Sequence, residues 1–146
     1  MKKFIIHTDG GSRNNPGPAA IGAVISNEKG AVLKEISEYI GEHTNNEAEY
    51  RAVIEALKKL KAMIGKAETK QSVIHVYADS ELLVKQLNGE YKIEHPNVQP
   101  LFLQLWNLTI DFGKVEFEAV PREQNKAADK LVNQALDSRE KNQPLF

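Results

Sequence analysis

The chain has 146 residues, no cysteine, 19 Lys and Arg against 20 Asp and Glu, and a formal net charge of −1. The absence of cysteine excludes disulfides, thiolate metal sites and a cysteine nucleophile. The charge excludes a polycation, so any nucleic acid would be met by a local patch rather than by the overall field. The length reads as one domain over 1–146, with a core over about 3–139 and a short tail at 140–146. Such a chain buries about 68–70% of its unfolded surface and needs no staple. The N-terminal MKK is followed by an apolar run broken at His7 and Asp9, too short and too polar for a signal peptide. No apolar stretch approaches the roughly 18 residues of a membrane span. The expectation is a soluble, cytoplasmic monomer with no membrane and no obligate protein partner.

In chain order, FIIHT (4–8) reads as a strand ending at Asp9, and GGSRNNPGP as a turn by composition. AIGAVISN (20–27) reads as a second strand, NEKG as a hairpin loop and AVLKEISEYI (31–40) as a third strand. Three strands with short links predict an antiparallel meander. The period then changes. Thr44 or Asn45 is placed to cap a helix whose apolar stripe is Ala52, Val53, Ala56, Leu57, Leu60 and Ile64, closed by Gly65. SVIHVYAD (72–79) reads as a buried central strand. Ser80 to Gly89 reads as a short helix, EYKIEHPNVQP as a loop and LFLQLWNLTIDF (101–112) as an irregular helix with Trp106 in the core. KVEFEAV (114–120) alternates as a strand, PREQN is a loop, KAADKLVNQALDSR (126–139) is a last helix, and KNQPLF is a mobile or loosely docked tail. The fold class is α/β with element order βββαβααβα, which implies a mixed sheet with helices on its faces. Sites in such sheets lie beyond the carboxyl ends of the parallel strands.

Four acids break pattern toward that sheet. Asp9 ends the first strand and Asp79 the fourth. Glu49 continues the helical line of Val53, Ala56 and Leu60, and Asp129 that of Val132 and Leu136. Taken singly, Asp79 with Ser80 reads equally as a helix cap, and Glu49 and Asp129 as first-turn acids that suit the helix dipole. Taken together, they are like charges that would raise one another's pKa. The usual resolution is a hard cation such as Mg²⁺ or Mn²⁺.

The segments TDGGSRNNPGPAAIG, TNNEAEYRAVIEAL, VYADSELLVKQLNG and PREQNKAADKLVNQAL resemble, in order and spacing, the four signature blocks of the type 1 ribonuclease H family. The resemblance runs from about residue 4 to 137. It implies an RNase H-like fold, a five-stranded mixed sheet with strands 1–3 antiparallel, flanked by helices. It implies hydrolysis of the RNA strand of an RNA–DNA hybrid with two Mg²⁺ ions, Mn²⁺ as a substitute, leaving 5′-phosphate and 3′-hydroxyl ends. By motif, the catalytic and metal-holding carboxylates are Asp9, Glu49 (rather than Glu47), Asp79 and Asp129, with the Gly10 backbone close to metal. In the family's manner, Asp9 bridges both ions with help from Glu49 and Asp79, and Asp129 stands on the nucleophile side. One ion lowers the pKa of the attacking water and the other stabilises the leaving 3′-oxygen.

Substrate contacts implied by the resemblance are Asn15, Asn45 and Glu49 toward 2′-hydroxyls, with Gly11, Ser12 and Arg13 as backbone contributors, and Thr44 with Asn45 toward a DNA phosphate. Each amide also reads as a turn or cap residue. Two departures stand out. The loop VPREQNK lacks the histidine that many members carry, leaving Arg122 either to approach the scissile phosphate in its stead or to be a solvated loop charge. The stretch NGEYKIEHPNVQPLF carries one Lys against two Glu, so the basic, Trp-rich protrusion of some members is absent, and weaker, salt-sensitive hybrid binding is expected. Two other classes stay open: a non-catalytic hybrid-binding module of the same fold, and an actin-like kinase, for which DGGS would be the phosphate loop but which needs a second such domain.

Overall fold

The computed structural model describes residues 2–142. The three expected strands form the antiparallel meander as β1 (Lys2–Ser12), β2 (Gly17–Asn27) and β3 (Val32–His43), each longer than its apolar pattern. Gly10 to Ser12, expected as turn, is strand, because β1 stays in register with β2 as far as Ser12 opposite Ala19. Asp9 is therefore inside β1 rather than at its end. The turn shrinks to the residues between Ser12 and Gly17, where Asn14 takes φ 73°, a conformation asparagine tolerates.

Helix α1 (Asn45–Ile64) begins with a reciprocal cap. The Thr44 hydroxyl accepts the Glu47 N–H at 3.1 Å, and the Glu47 carboxylate accepts the Thr44 N–H at 2.8 Å. The helix buries Ala52, Val53, Ala56, Leu57 and Leu60 as expected, together with Ala48, Tyr50 and Ile54. Each fully buried aliphatic side chain contributes about 1.5–3 kcal/mol. After Gly65, at φ 85°, comes a one-turn helix, α2 (Lys66–Lys70), that the pattern does not reveal; five residues are too few to display a period. β4 (Ser72–Ala78), α3 (Glu81–Leu87), α4 (Gln99–Asp111), β5 (Lys114–Ala119) and α5 (Lys126–Lys141) follow, giving the order βββααβααβα. The PREQN loop contains a 3₁₀ turn at Arg122–Gln124. Helix α5 runs past the expected end at Arg139 to Lys141, while residues 143–146 of the expected tail lie outside the described residues.

The strands lie in the order β3-β2-β1-β4-β5, with β4 parallel to β1 and β5 parallel to β4. On one face Phe4, Ile6, Ile21, Ile25, Ile74 and Val76 meet α1 and the helices beyond it. On the other face α5 packs on β1, β2 and β3 but does not extend over β5. β4 is consequently buried on alternate residues only, not throughout as expected, and its open side carries His75 stacked on Tyr77 at 4.5 Å. Helix α4 corrects a second expectation. It buries Leu105 and leaves Trp106 51% exposed, because its core stripe is Leu101, Phe102, Leu105 and Leu108. No helix among the described residues is long and apolar enough to cross a membrane.

Candidate active site

Parallel pairing of β1 with β4 stops at Thr8 opposite Ala78, so the next residues, Asp9 and Asp79, stand side by side where the ladder ends. Two helices are pressed onto this point by glycines. A Cβ on Gly10 would overlap the Ala48 carbonyl and the Glu49 nitrogen, so α1 sits directly on the β1 backbone. Gly22, the β2 partner of Asp9, lies against the Ala128 carbonyl in the same way. These contacts bring Glu49 and Asp129 to Asp9. Gly10→Ala is accordingly expected to cost about 2–3 kcal/mol, since backbone rather than a flexible side chain must give way. A urea midpoint at wild-type m-value measures it, and an unchanged midpoint would mean that α1 is free to shift.

The four acids line one cleft of about 300 Å³, together with Gly10, Gly11, Ser12, Arg13, Asn45, Arg122 and, from α5, Val132, Asn133 and Leu136. A larger cleft, of about 770 Å³, lies between α1 and α4 and is edged by Lys58, Lys61 and Lys66. It holds none of the four acids, and Lys61 is paired with Asp111 across it at 2.8 Å. The chemistry therefore selects the smaller cleft.

Its electrostatics are unbalanced. Burial first, then the charge of Asp79, a hydrogen bond with Asp129 and the charges of Asp129 and Glu49 push Asp9 up from 3.8 to about 8. Burial likewise raises Glu49 from 4.5 to about 7; Asp79 adds to the shift, while a hydrogen bond from Ser80 and the charge of Arg122 oppose it. Among the described residues, the one cation in an ion pair with these acids is loosely held: Arg122 Nε lies 3.9 Å from Asp79 Oδ2, with its side chain 85% exposed. An all-oxygen donor set short of positive charge fits a hard divalent cation. Among the described residues no three acidic or histidine side chains already form a ligand shell. The fit rests on donor chemistry and on the charge that the cluster lacks.

The other expected site residues divide. Asn45 Oδ1 accepts the Ser12 N–H at 2.8 Å, and the Asn45 N–H donates to Asn15 Oδ1 at 2.9 Å, so the two asparagines lock the β1–β2 turn onto α1. The Arg13 N–H is also taken, by the Pro18 carbonyl at 2.8 Å. The backbone donors of Ser12 and Arg13 are thus committed internally. The Arg13 side chain turns to α5, where it meets Asp137 and Glu140, each at 2.7 Å. Thr44 spends its hydroxyl on the helix cap. Thr44 and Asn15 are not among the residues that line the cleft. Asn133 is a lining residue that sequence reasoning missed; its place four residues after Asp129, on the same helical line, is the signal that could have found it.

A mixed sheet in this strand order, with carboxylates at the end of its parallel pair, defines the ribonuclease H fold. The chain matches the reverse transcriptase-like family over residues 7–135. It superposes on LC11-RNase H1, isolated from compost and crystallised with an RNA/DNA hybrid, with a TM-score of 0.89 and 45% identity over 94% of this chain and 99% of that one. It is 38% identical to ribonuclease HI of Halobacterium salinarum over 88% of this chain and 62% of that protein. It is 41% identical to a bifunctional protein of Mycobacterium tuberculosis over 93% of this chain. The chain spans 36% of the mycobacterial protein's length, so it corresponds to one part of that protein. The chain belongs to the type 1 ribonuclease H family.

Proposed function

We propose that the chain is a metal-dependent endoribonuclease that hydrolyses the RNA strand of RNA–DNA hybrids and leaves 5′-phosphate and 3′-hydroxyl ends. The observation that carries this reading is the cleft lined by Asp9, Glu49, Asp79 and Asp129, four acids drawn from β1, α1, the residue after β4 and α5. The complex of LC11-RNase H1 with a hybrid supports the substrate class. Asp9, Glu49, Asp79 and Asp129 would hold two divalent cations, Mg²⁺ or Mn²⁺ in its place. When bound, the cations supply an activated water and charge stabilisation at the leaving 3′-oxygen.

The chain's own groups do the rest. Asp9 gives up its proton as the cleft takes on positive charge. Asp129, in the first turn of α5 and within reach of Asp9, would stand on the side of the attacking water. Ser80 holds the Glu49 carboxylate by a hydrogen bond. Asn45, whose oxygen is occupied by Ser12, meets a 2′-hydroxyl through its nitrogen end, which tells RNA from DNA. Arg122, exposed and loosely paired, is free to leave Asp79 for a phosphate oxygen.

The test is cleavage of a short hybrid labelled on its RNA strand, with Mg²⁺ or Mn²⁺ and with a chelator control, beside the same strands as single-stranded RNA and as duplex DNA. Hybrid-only, metal-dependent products with 3′-hydroxyl ends are expected. Folded protein that binds the hybrid at low salt without cutting it would leave the non-catalytic module as the better reading.

A further inference from the structure

Asparagine at the start of a helix ordinarily turns its side chain onto the helix's own free N–H groups. Asn125 occupies that position in α5 and makes no such bond. Its Nδ2 instead donates to the carbonyl of Thr8 at 2.8 Å, across 117 positions of sequence, and both residues are 1% exposed. Thr8 is the residue before Asp9 and the last of β1 in register with β4. The backbone carbonyl of Asn125 in turn accepts the N–H of Asp129 at 3.1 Å. One side chain and one carbonyl of a single residue thus connect the neighbour of Asp9 to the amide of Asp129. The same junction holds two buried side-chain oxygens without a partner, Thr8 Oγ1 and Asn125 Oδ1. A residue retained only for burial would not carry that cost, since an unpaired buried oxygen is unfavourable.

We propose that Asn125 is a positioning residue that sets the height of Asp129 against Asp9 by clamping the first turn of α5 to β1. This rests on the ribonuclease reading for its consequence, but the clamp itself is a statement about α5. The role requires a donor. Aspartate at the position has the right shape, but as a carboxylate it would face the Thr8 carbonyl with two acceptors. The loss is therefore one of alignment rather than of hybrid affinity, because Asn125 is not among the residues that line the cleft.

The experiment compares the full chain with Asn125→Ala, Asn125→Asp, Ser37→Ala and Asp129→Asn. Ser37 donates to the Leu131 carbonyl at 2.7 Å and so cuts a different tie between the sheet and the same helix. Expected for both Asn125 variants is a fall in kcat of about ten- to a hundredfold with KM within about threefold. Ser37→Ala should stay within about twofold of wild type. In parallel, amide hydrogen exchange at Asp129 should quicken relative to residues of the later turns of α5 in Asn125→Ala and not in Ser37→Ala. Equal kcat in Asn125→Ala and Ser37→Ala, or unchanged exchange at Asp129, overturns the proposal. So does full activity in Asn125→Asp, since no donor would then be needed. If the wild type itself fails to cut, or Asp129→Asn cuts normally, the ribonuclease reading or the role of Asp129 fails. The exchange arm still decides the clamp.

Discussion

Asp9→Asn is expected to abolish hybrid cleavage, by about a thousandfold or more, and at the same time to stabilise the chain in the absence of metal. The two effects have one cause. Asp9 is half-buried among three other acids and is pushed up to about 8 by that partial burial and by their charges. Removing its charge relieves repulsion while keeping shape and leaving a carboxamide that can still hydrogen-bond Asp129. A gain of about 1–3 kcal/mol is expected near pH 8, less than the full shift implies because the cleft is open to water. The same substitution removes the acid best placed to bind cations on behalf of its neighbours, and with it the means of activating water. Initial rates on a labelled hybrid, beside thermal midpoints in chelator, give both readouts. A residue kept for folding would lose stability along with activity. Retained cleavage, or a midpoint that falls, would remove Asp9 from the centre of the site.

The second large effect is linkage between pH, cation binding and stability. Asp9 has an ordinary value of 3.8 and a folded value of about 8, and Glu49 moves from 4.5 to about 7. Between those limits the folded chain holds protons that the unfolded chain has released. Stability therefore falls as pH rises from about 4 to about 8, the reverse of the behaviour of a salt-bridged carboxylate. A divalent cation binds the deprotonated acids and must displace those protons. The rise in thermal midpoint on adding saturating Mg²⁺ is expected to be small near about pH 5 and several degrees larger near about pH 8.5. Cleavage should climb through the same window. Equal midpoint shifts at both pH values would mean that the ion is held elsewhere than by Asp9 and Glu49.

The local features of this chain were legible from sequence because they are written in short-range periods. The stripe from Ala52 to Leu60 has one side that must be buried, whatever it packs against. A cap for α1 at Thr44 or Asn45 was legible too; the structure gives it to Thr44 and adds the reciprocal bond of Glu47 three residues on. Ser80 and Gly65 bound their helices by local geometry alone. The same stripe separates Glu49 from Glu47, since only one of them faces the sheet.

What the sequence could not settle concerns contacts between elements distant in the chain. β1 runs on to Ser12 because β2 keeps offering it partners, and glycine has no preference strong enough to refuse them. Asp9 and Asp79 become neighbours only through the insertion of β4 beside β1, and the end of that pairing at Thr8 sets them side by side. Trp106 lies outside because α4 needs only one face to cover α1, a choice that no property of tryptophan dictates. α2 is too short to have a period. Asn125 looks like an ordinary helix cap until β1 lies within reach of its amide. The sequence by itself determined the five strands, the four longer helices and the four acids that break pattern. The tertiary structure alone decided that these acids share one cleft, what raises the pKa values of Asp9 and Glu49, and which buried amide ties Asp129 to the neighbour of Asp9, because each of those depends on through-space contacts spanning tens of residues.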